Sequence, residues 1–204
     1  MLIYENALWL LLAALLLDAL AGDPDWIWRR LPHPVVWIGK VISLFDRHLR
    51  LAGSGTLVIL VAGGLCAGAI IQAAAAAVPY GGLLTAVIAA VFLAQNSLYR
   101  HVAAVRDSLR DKGLPGGRQA VAMIVGRDPA QLDEAGVSRA AIESCAENFS
   151  DGVVAPVFWF ALLGLPGLIA YKAVNTADSM IGHKNAAYAE FGWASARFDD
   201  LVNL

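Results

Sequence analysis

Charge is scarce in this sequence. Only 16% of its 204 residues are Asp, Glu, Lys or Arg, where soluble domains carry about a quarter. The net charge is −2, which excludes the basic footprint of a nucleic-acid binder, so no nucleic-acid partner is expected. There are two cysteines. Cys66 lies in an apolar run and Cys145 in a polar one, so they read as unpaired thiols and not as a disulfide framework. Several nucleotide and catalytic signatures are missing. There is no G-x-x-x-x-G-K-[ST] and no G-x-G-x-x-G after a strand, which excludes a conventional P-loop and a dinucleotide fingerprint. No Cys/His spacing suits zinc, and no G-x-S-x-G elbow appears. His33, His48 and His101 are scattered and read as surface or interfacial histidines. Neither an internal repeat nor a low-complexity linker is present.

Apolar length is what the chain has in abundance. Hydrophobic residues make up 58% and the mean hydropathy is +0.60, so lipid is part of the expected solvent. Residues 56–78 carry no charge and can cross ~30 Å of hydrocarbon at ~1.5 Å per residue. Pro79, Tyr80 and Gly81 form a tight break, and 82–98 returns, which predicts a transmembrane hairpin. A shorter run, 7–22, carries Asp18. A fourth, 152–171, is interrupted by Gly164, Pro166 and Gly167. Ala19-Leu20-Ala21 resembles a signal-peptide cleavage site. The preceding segment, however, has Glu5 and no Lys or Arg, so a retained segment is expected. An ionisable residue at membrane depth, here Asp18, is by default a functional candidate. The fold class predicted is all-α: a polytopic integral membrane protein with a transmembrane hairpin and cytoplasmic helical segments.

Basic residues set the orientation. Segment 22–55 holds Arg29, Arg30, Lys40, Arg47 and Arg50. Segment 99–151 holds Arg100, Arg106, Arg110, Lys112, Arg118, Arg127 and Arg139. The turn at 79–81 holds none. By the positive-inside rule both polar segments are cytoplasmic. The glycine–proline break in 152–171 predicts a broken or re-entrant segment that brings 172–204 back to the same side.

The polar segments read as follows. Pro24, Pro32 and Pro34 forbid a continuous helix at the start of 22–55. The Trp, Arg and His residues there suit a headgroup anchor or a lip over a site. Segment 99–151 reads as short helices. One is capped by Asp128 with Pro129 and Gln131 and ended by Gly136. The next is capped by Ser138. Segment 168–190 reads as a helix leaving the membrane, and 193–204 as the beginning of another.

Three polar clusters carry the candidate chemistry. Glu143, Glu147 and Asp151, with Asn148 beside them, are spaced by four and share one helix face. Arg139, one turn earlier, is placed to neutralise Glu143. Asn175 and Asp178 form an i,i+3 pair of oxygen ligands suited to Mg²⁺, which takes one or two carboxylates and completes its shell with water and phosphate. Lys172, His183 and Lys184 bracket that pair. Asp199, Asp200 and Asn203 nearly mirror it. Each cluster is weak alone, but a membrane setting penalises every buried charge.

Read together, the strings resemble one family, the adenosylcobinamide-phosphate synthases of cobalamin biosynthesis (CobD/CbiB). The matching stretches are DALAGDP at 18–24, LPHPVVWIGK at 31–40, IVGRDP at 124–129, SRAAIESCAENFSDGVVAPVFW at 138–159, YKAVNTADSMIGHK at 171–184 and FGWASARFDDLVN at 191–203. The resemblance implies a bacterial or archaeal cell (inner) membrane protein with its site facing the cytoplasm. It implies amide formation between the corrin carboxylate of adenosylcobyric acid and aminopropanol or its O-phosphate, with ATP as co-substrate and Mg²⁺. In that chemistry Asn175, Asp178, Asp199 and Asp200 are expected at the Mg²⁺–phosphate. Glu143, Glu147 and Asp151 would orient or deprotonate the amine. Arg127, Arg139, Asn148, Lys172 and Lys184 would hold phosphate or corrin oxygens. Members run beyond the FDDLVN string, so the chain reads as one domain over 1–204, truncated at its C-terminus. The partners expected are the two substrates and membrane lipid, with a homo-oligomer left open. Two rival readings are a Mg²⁺-dependent prenyltransferase-like membrane enzyme and a transporter, which would place acids inside several spans.

Overall fold

The computed structural model describes residues 7–48, 53–126, 128–182 and 193–203. Among them every regular element is helical: α1 Ala7–Ala21, α2 Asp25–Trp28, α3 Pro34–His48, α4 Gly53–Ala76, α5 Gly81–Ala90, α6 Gln95–Val121, α7 Glu134–Phe149, a π-helical turn Ser150–Val154, α8 Ala155–Leu163, α9 Leu165–Ile181 and α10 Trp193–Val202. The fold class is thus the all-α one expected.

The apolar runs are helices with an exposed apolar side and a side packed into the core. Ser54–Ala76 is 23 residues long, with a hydropathy of 2.2 and little of it buried. At ~1.5 Å per residue it is long enough to cross hydrocarbon. Val58 and Ile70 point outward while Leu60 is buried. Gly81–Val121 also passes the test of length and apolarity, but it is not one rod. The expected helix 82–98 is split at Val91–Ala94 into α5 and α6. This break has a tertiary cause. The Asp18 carboxylate accepts the Gln95 N–H at 2.8 Å, so a residue on α1 caps α6 from 77 positions away. His33 Nε2 donates to the Val91 carbonyl at 3.1 Å, and the Ala94 N–H reaches the Gly152 carbonyl at 3.0 Å. Backbone groups freed at membrane depth are tolerated only where protein satisfies them. Asp18, buried at 3% exposure, therefore has a structural use.

The segment 152–171 is also broken. Gly164 adopts φ 70° and ψ −150°, a conformation that residues other than glycine rarely adopt. An added Cβ there would lie 2.4 Å from Gln72 Oε1. The same oxygen accepts the Leu165 N–H at 3.0 Å, so α4 caps α9. Helix α8 runs on from the π-turn and ends at Gly164. The chain doubles back along α9, which is why Lys172 returns to within hydrogen-bonding range of Asp151.

Helix α9 is the hub. It packs on α3, α4, α8 and α10, and its buried side chains lie all round its axis, as a core helix requires. Two hydrophobic clusters meet on it. Leu11, Phe92, Phe160 and Leu168 form one. Ile42, Leu60, Ala177 and Ile181 form the other. A third cluster, Val105, Val121, Val137 and Ala140, holds α6 against α7.

The polar segments differ from expectation in three ways. Segment 99–151 is dominated by one long helix, α6, kinked at Gly113 (φ 63°, ψ −161°) with Pro115 following. Asp128 makes a local turn, accepting the Ala130 N–H at 2.9 Å, and no helix forms at 128–132. Helix α7 instead begins at Glu134, with Asp133 as N-cap accepting the Gly136 N–H. Gly136 and Ser138 therefore lie inside it, because Asp133 sits in an extended conformation that frees its side chain to cap. Helix α9 occupies the start of the expected helix 168–190, and the remainder beyond 182 lies outside the described residues.

Candidate functional site

A cavity of ≈ 550 Å³ lies where α6, α7, the π-turn and α9 meet. It is lined by Ser97, His101, Ile124, Ser144, Asn148, Asp151, Lys172, Asn175 and Ser179, with apolar neighbours that include Leu98 and Met123. The local causes are legible. The π-turn widens the helix at Ser150–Val154, a distortion often found at functional sites. The carboxylates expected on one face over 143–151 border two adjoining spaces. Asp151 and Asn148 line this cavity, while Glu143 and Glu147 line an adjoining groove of ≈ 270 Å³ that shares Ile124, Val125, Ser144 and Asn148. Helix α9 presents Lys172, Asn175 and Ser179 to the cavity, since three and four residues apart is one helix face.

Polar contacts tie these elements together. Tyr171 Oη and Lys172 Nζ both donate to the Asp151 carbonyl, each at 3.4 Å. The Asn203 amide donates to the Asp151 carboxylate, and its oxygen accepts from Ser150 Oγ at 2.9 Å. Trp159 Nε1 donates to the Val202 carbonyl at 2.8 Å. The C-terminal end of α10 is thereby clamped to the π-turn and α8. On the other wall, Asn148 Nδ2 donates to the Ser144 carbonyl at 2.8 Å. Ser144 Oγ donates to the Ile124 carbonyl at 2.6 Å.

Beside Asn175 stand two more acids. Asn175 Nδ2 reaches Asp199 Oδ1 at 3.5 Å. Burial, followed by the negative charges of Asp178 and Asp151, pushes the Asp199 carboxyl up to about 6. A cation placed among these oxygens would relieve that repulsion. The donors are all oxygen, which suits a hard cation such as Mg²⁺. Asp199 and Asp178 do not line the cavity itself. Among the described residues no three His, Cys, Asp or Glu side chains converge as a ready-made metal cage.

The expected residues are thus partly gathered. Asp151, Asn148, Lys172 and Asn175 meet, with Asp178 and Asp199 adjacent. Asp200 does not join them. It lies on the solvent side of α10, 74% exposed, 3.8 Å from Arg197, because successive helix residues point about 100° apart. Arg139 is exposed on α7 and lines neither cavity. Arg127, His183 and Lys184 lie outside the described residues. Arg106 and Arg110 on α6 are engaged in surface pairs with Asp107 and Asp111 at 2.9 Å. Sequence reasoning gave no role to Tyr171, Ser144 or His101. Of these, only Tyr171 carried a signal, being next to Lys172 at the end of an apolar run. A larger depression of ≈ 650 Å³ between α3 and α9, lined by Val36, Gly39, Lys40, Thr176 and Met180 among others, contains none of the expected residues.

No solved structure matches the chain. Curated relatives named "Cobalamin biosynthesis protein CobD" do. The one from Sinorhizobium fredii is 56% identical, covering 95% of this chain and 63% of its own length. That from Brucella melitensis is 51% identical, covering 98% and 64%, and that from Rhodobacter capsulatus is 49% identical, covering 96% and 64%. The chain thus spans somewhat under two thirds of the length of these relatives. The family model described as CobD/Cbib protein matches residues 11–204, and this chain belongs to that family.

Proposed function

We propose that this chain supplies the site at which a cobalamin-biosynthesis enzyme joins adenosylcobyric acid to (R)-1-amino-2-propanol or its O-phosphate. The product is adenosylcobinamide or its phosphate. The carrying observation is the convergence of Asn148, Asp151, Lys172 and Asn175, from α7, the π-turn and α9, on one polar cavity. The names of the relatives support the pathway, and the cavity chemistry supports the reaction class.

A free carboxylate is a poor electrophile, so amide formation needs it activated. In this reading ATP is the co-substrate that phosphorylates it, and Mg²⁺ supplies charge neutralisation to the phosphate oxygens. Asn175, Asp178 and Asp199 would hold the metal, completing its shell with water and phosphate. Asp200 is set aside as a ligand because it points to solvent. Lys172 Nζ is a donor at the cavity wall; burial lowers its pKa, and an anionic phosphate or carboxylate oxygen beside it would favour the charged form. Asn148 offers an amide to the same oxygens. Glu143 and Glu147, in the adjoining groove, would attract the ammonium form of the amine. Adenosylcobyric acid with all its side chains is larger than this cavity of ≈ 550 Å³, so in this reading its carboxylate arm would enter while the ring stays at the mouth. We place the cavity on the cytoplasmic side, where ATP is found, in line with the basic residues of 22–55 and 99–151.

The test is direct. Full-length protein in detergent or nanodiscs is given adenosylcobyric acid, aminopropanol or its phosphate, ATP and Mg²⁺, and the corrinoid is analysed by mass spectrometry. A mass gain equal to the amine less one water, with one ATP consumed per amide, is the expected result. Unchanged corrinoid with both amines, in a preparation that binds the corrinoid, would refute the reading.

A further inference from the structure

The cavity contains an imidazole for which the reading above has no use. His101 lies on α6 and lines the same cavity as Asp151, Lys172 and Asn175. Its Nδ1 is 2.7 Å from the Ser97 carbonyl and 3.4 Å from Ser97 Oγ. A carbonyl oxygen can only accept, so Nδ1 carries the proton. In the neutral ring that leaves the lone pair on Nε2, where the described residues place no partner. A ring oriented through one nitrogen with the other left basic is the usual arrangement of a histidine base.

The other cavity groups are poorly placed for that role. The Asp151 carboxylate accepts the Asn203 amide. Lys172 is a donor, directed at the Asp151 carbonyl. Ser144 and Ser179 donate to the Ile124 and Asn175 carbonyls, and neither hydroxyls nor amides are basic. Glu143 and Glu147 belong to the adjoining groove. An amine attacks only after losing its ammonium proton, and the nitrogen sheds a second proton as the amide forms. The condensation therefore needs a proton acceptor at the bond being made.

We propose that His101 Nε2 is the general base of the condensation, a role that rests on the amide-forming reading above. The carboxylate first takes the γ-phosphoryl group of ATP, releasing ADP. The amine nitrogen then forms the C–N bond to the acyl carbon as the C–O bond to phosphate breaks. Phosphate leaves; Nε2 takes the ammonium proton before attack, passes it to water, and takes the second proton as the amide forms. The imidazolium returns it to water, which restores the starting state.

The experiment compares two nucleophiles in full-length protein carrying His101→Ala or His101→Gln. Aminopropanol arrives protonated and needs a base. Hydroxylamine is neutral at neutral pH, traps an acyl phosphate unaided and gives a hydroxamate. Both variants should lose amide formation by roughly 100- to 10,000-fold, the range of general-base catalysis, while hydroxamate formation persists. Added imidazole should restore part of the amide rate to the alanine variant. Glutamine can still donate to the Ser97 carbonyl, so it decides the matter if alanine disturbs folding. An equal loss with both nucleophiles, or wild-type amide rates in either variant, would overturn the role of His101. Failure of the wild-type protein to form either product would instead overturn the amide-forming reading on which it rests.

Discussion

Three neighbouring glycines on α4 make a sharp test of how the fold is held. Gly64 and Gly68 are four apart, the small-xxx-small spacing that lets membrane helices approach closely. An added Cβ at Gly68 would lie 2.4 Å from Pro166 Cα and 2.6 Å from the Leu165 carbonyl. At Gly64 it would lie 2.6 Å from Ala170 Cα. Carbon atoms pack at about 3.5–4.0 Å, so either alanine must drive α9 from α4 by about an ångström. The obstacles are backbone, which cannot rotate away, and the cost should be about 1–3 kcal/mol of overpacking. It is partly offset by up to ~1 kcal/mol that alanine gains over glycine in a helix. Gly63 is the control, because nothing lies within 4 Å of its added Cβ. Gly63→Ala should keep or slightly raise the melting temperature in detergent, while Gly64→Ala and Gly68→Ala lower it. Because α9 carries Lys172 and Asn175, these two should also lose activity. Gly68→Ala melting at or above Gly63→Ala would show that the α4–α9 contact is not as close as described.

Other perturbations probe the site and its supports. Asp178→Asn should abolish turnover with normal membrane insertion, since it removes a charge beside Asp199 where phosphate is to be neutralised; near-normal turnover at saturating Mg²⁺ would remove Asp178 from the site. The folded-state carboxyl of Asp199 is raised from 3.8 to about 6, so its favourable contribution is complete below the unfolded value and is lost as pH rises through about 6. Asp199→Asn should therefore be more stable than wild type at neutral pH in EDTA, on the order of 1 kcal/mol after allowing for solvent screening, and the difference should vanish near pH ~4; melting curves at the two pH values decide. Asp18→Ala should cost about 1–2 kcal/mol through loss of the α6 cap. Asp18→Asn, which keeps an accepting oxygen, should cost clearly less, and equal melting of the two variants would argue against the cap.

How much was legible in the sequence follows from the range of each interaction. Composition and run length sufficed for the all-α membrane class, because burial in lipid depends on how many consecutive residues are apolar, not on where the chain goes next. The reversal at Gly164 was readable for a similar reason, since glycine and proline act on their own backbone. The identities of Asn148, Asp151, Lys172 and Asn175 were readable through the strings that carry them. The split of 82–98 was not, because the groups that satisfy it, Asp18, His33 and Gly152, come from distant parts of the chain. Nor was the placing of Asp151 at one cavity and of Glu143 and Glu147 at the groove beside it. The different fates of Asp199 and Asp200 were equally hidden. Two adjacent identical residues have the same local propensity, and only the packing of α10 on α9 buries one and leaves the other in solvent. Local sequence determined the helical class and the break at Gly164. Which polar groups share a cavity was decided by contacts between residues far apart in the chain.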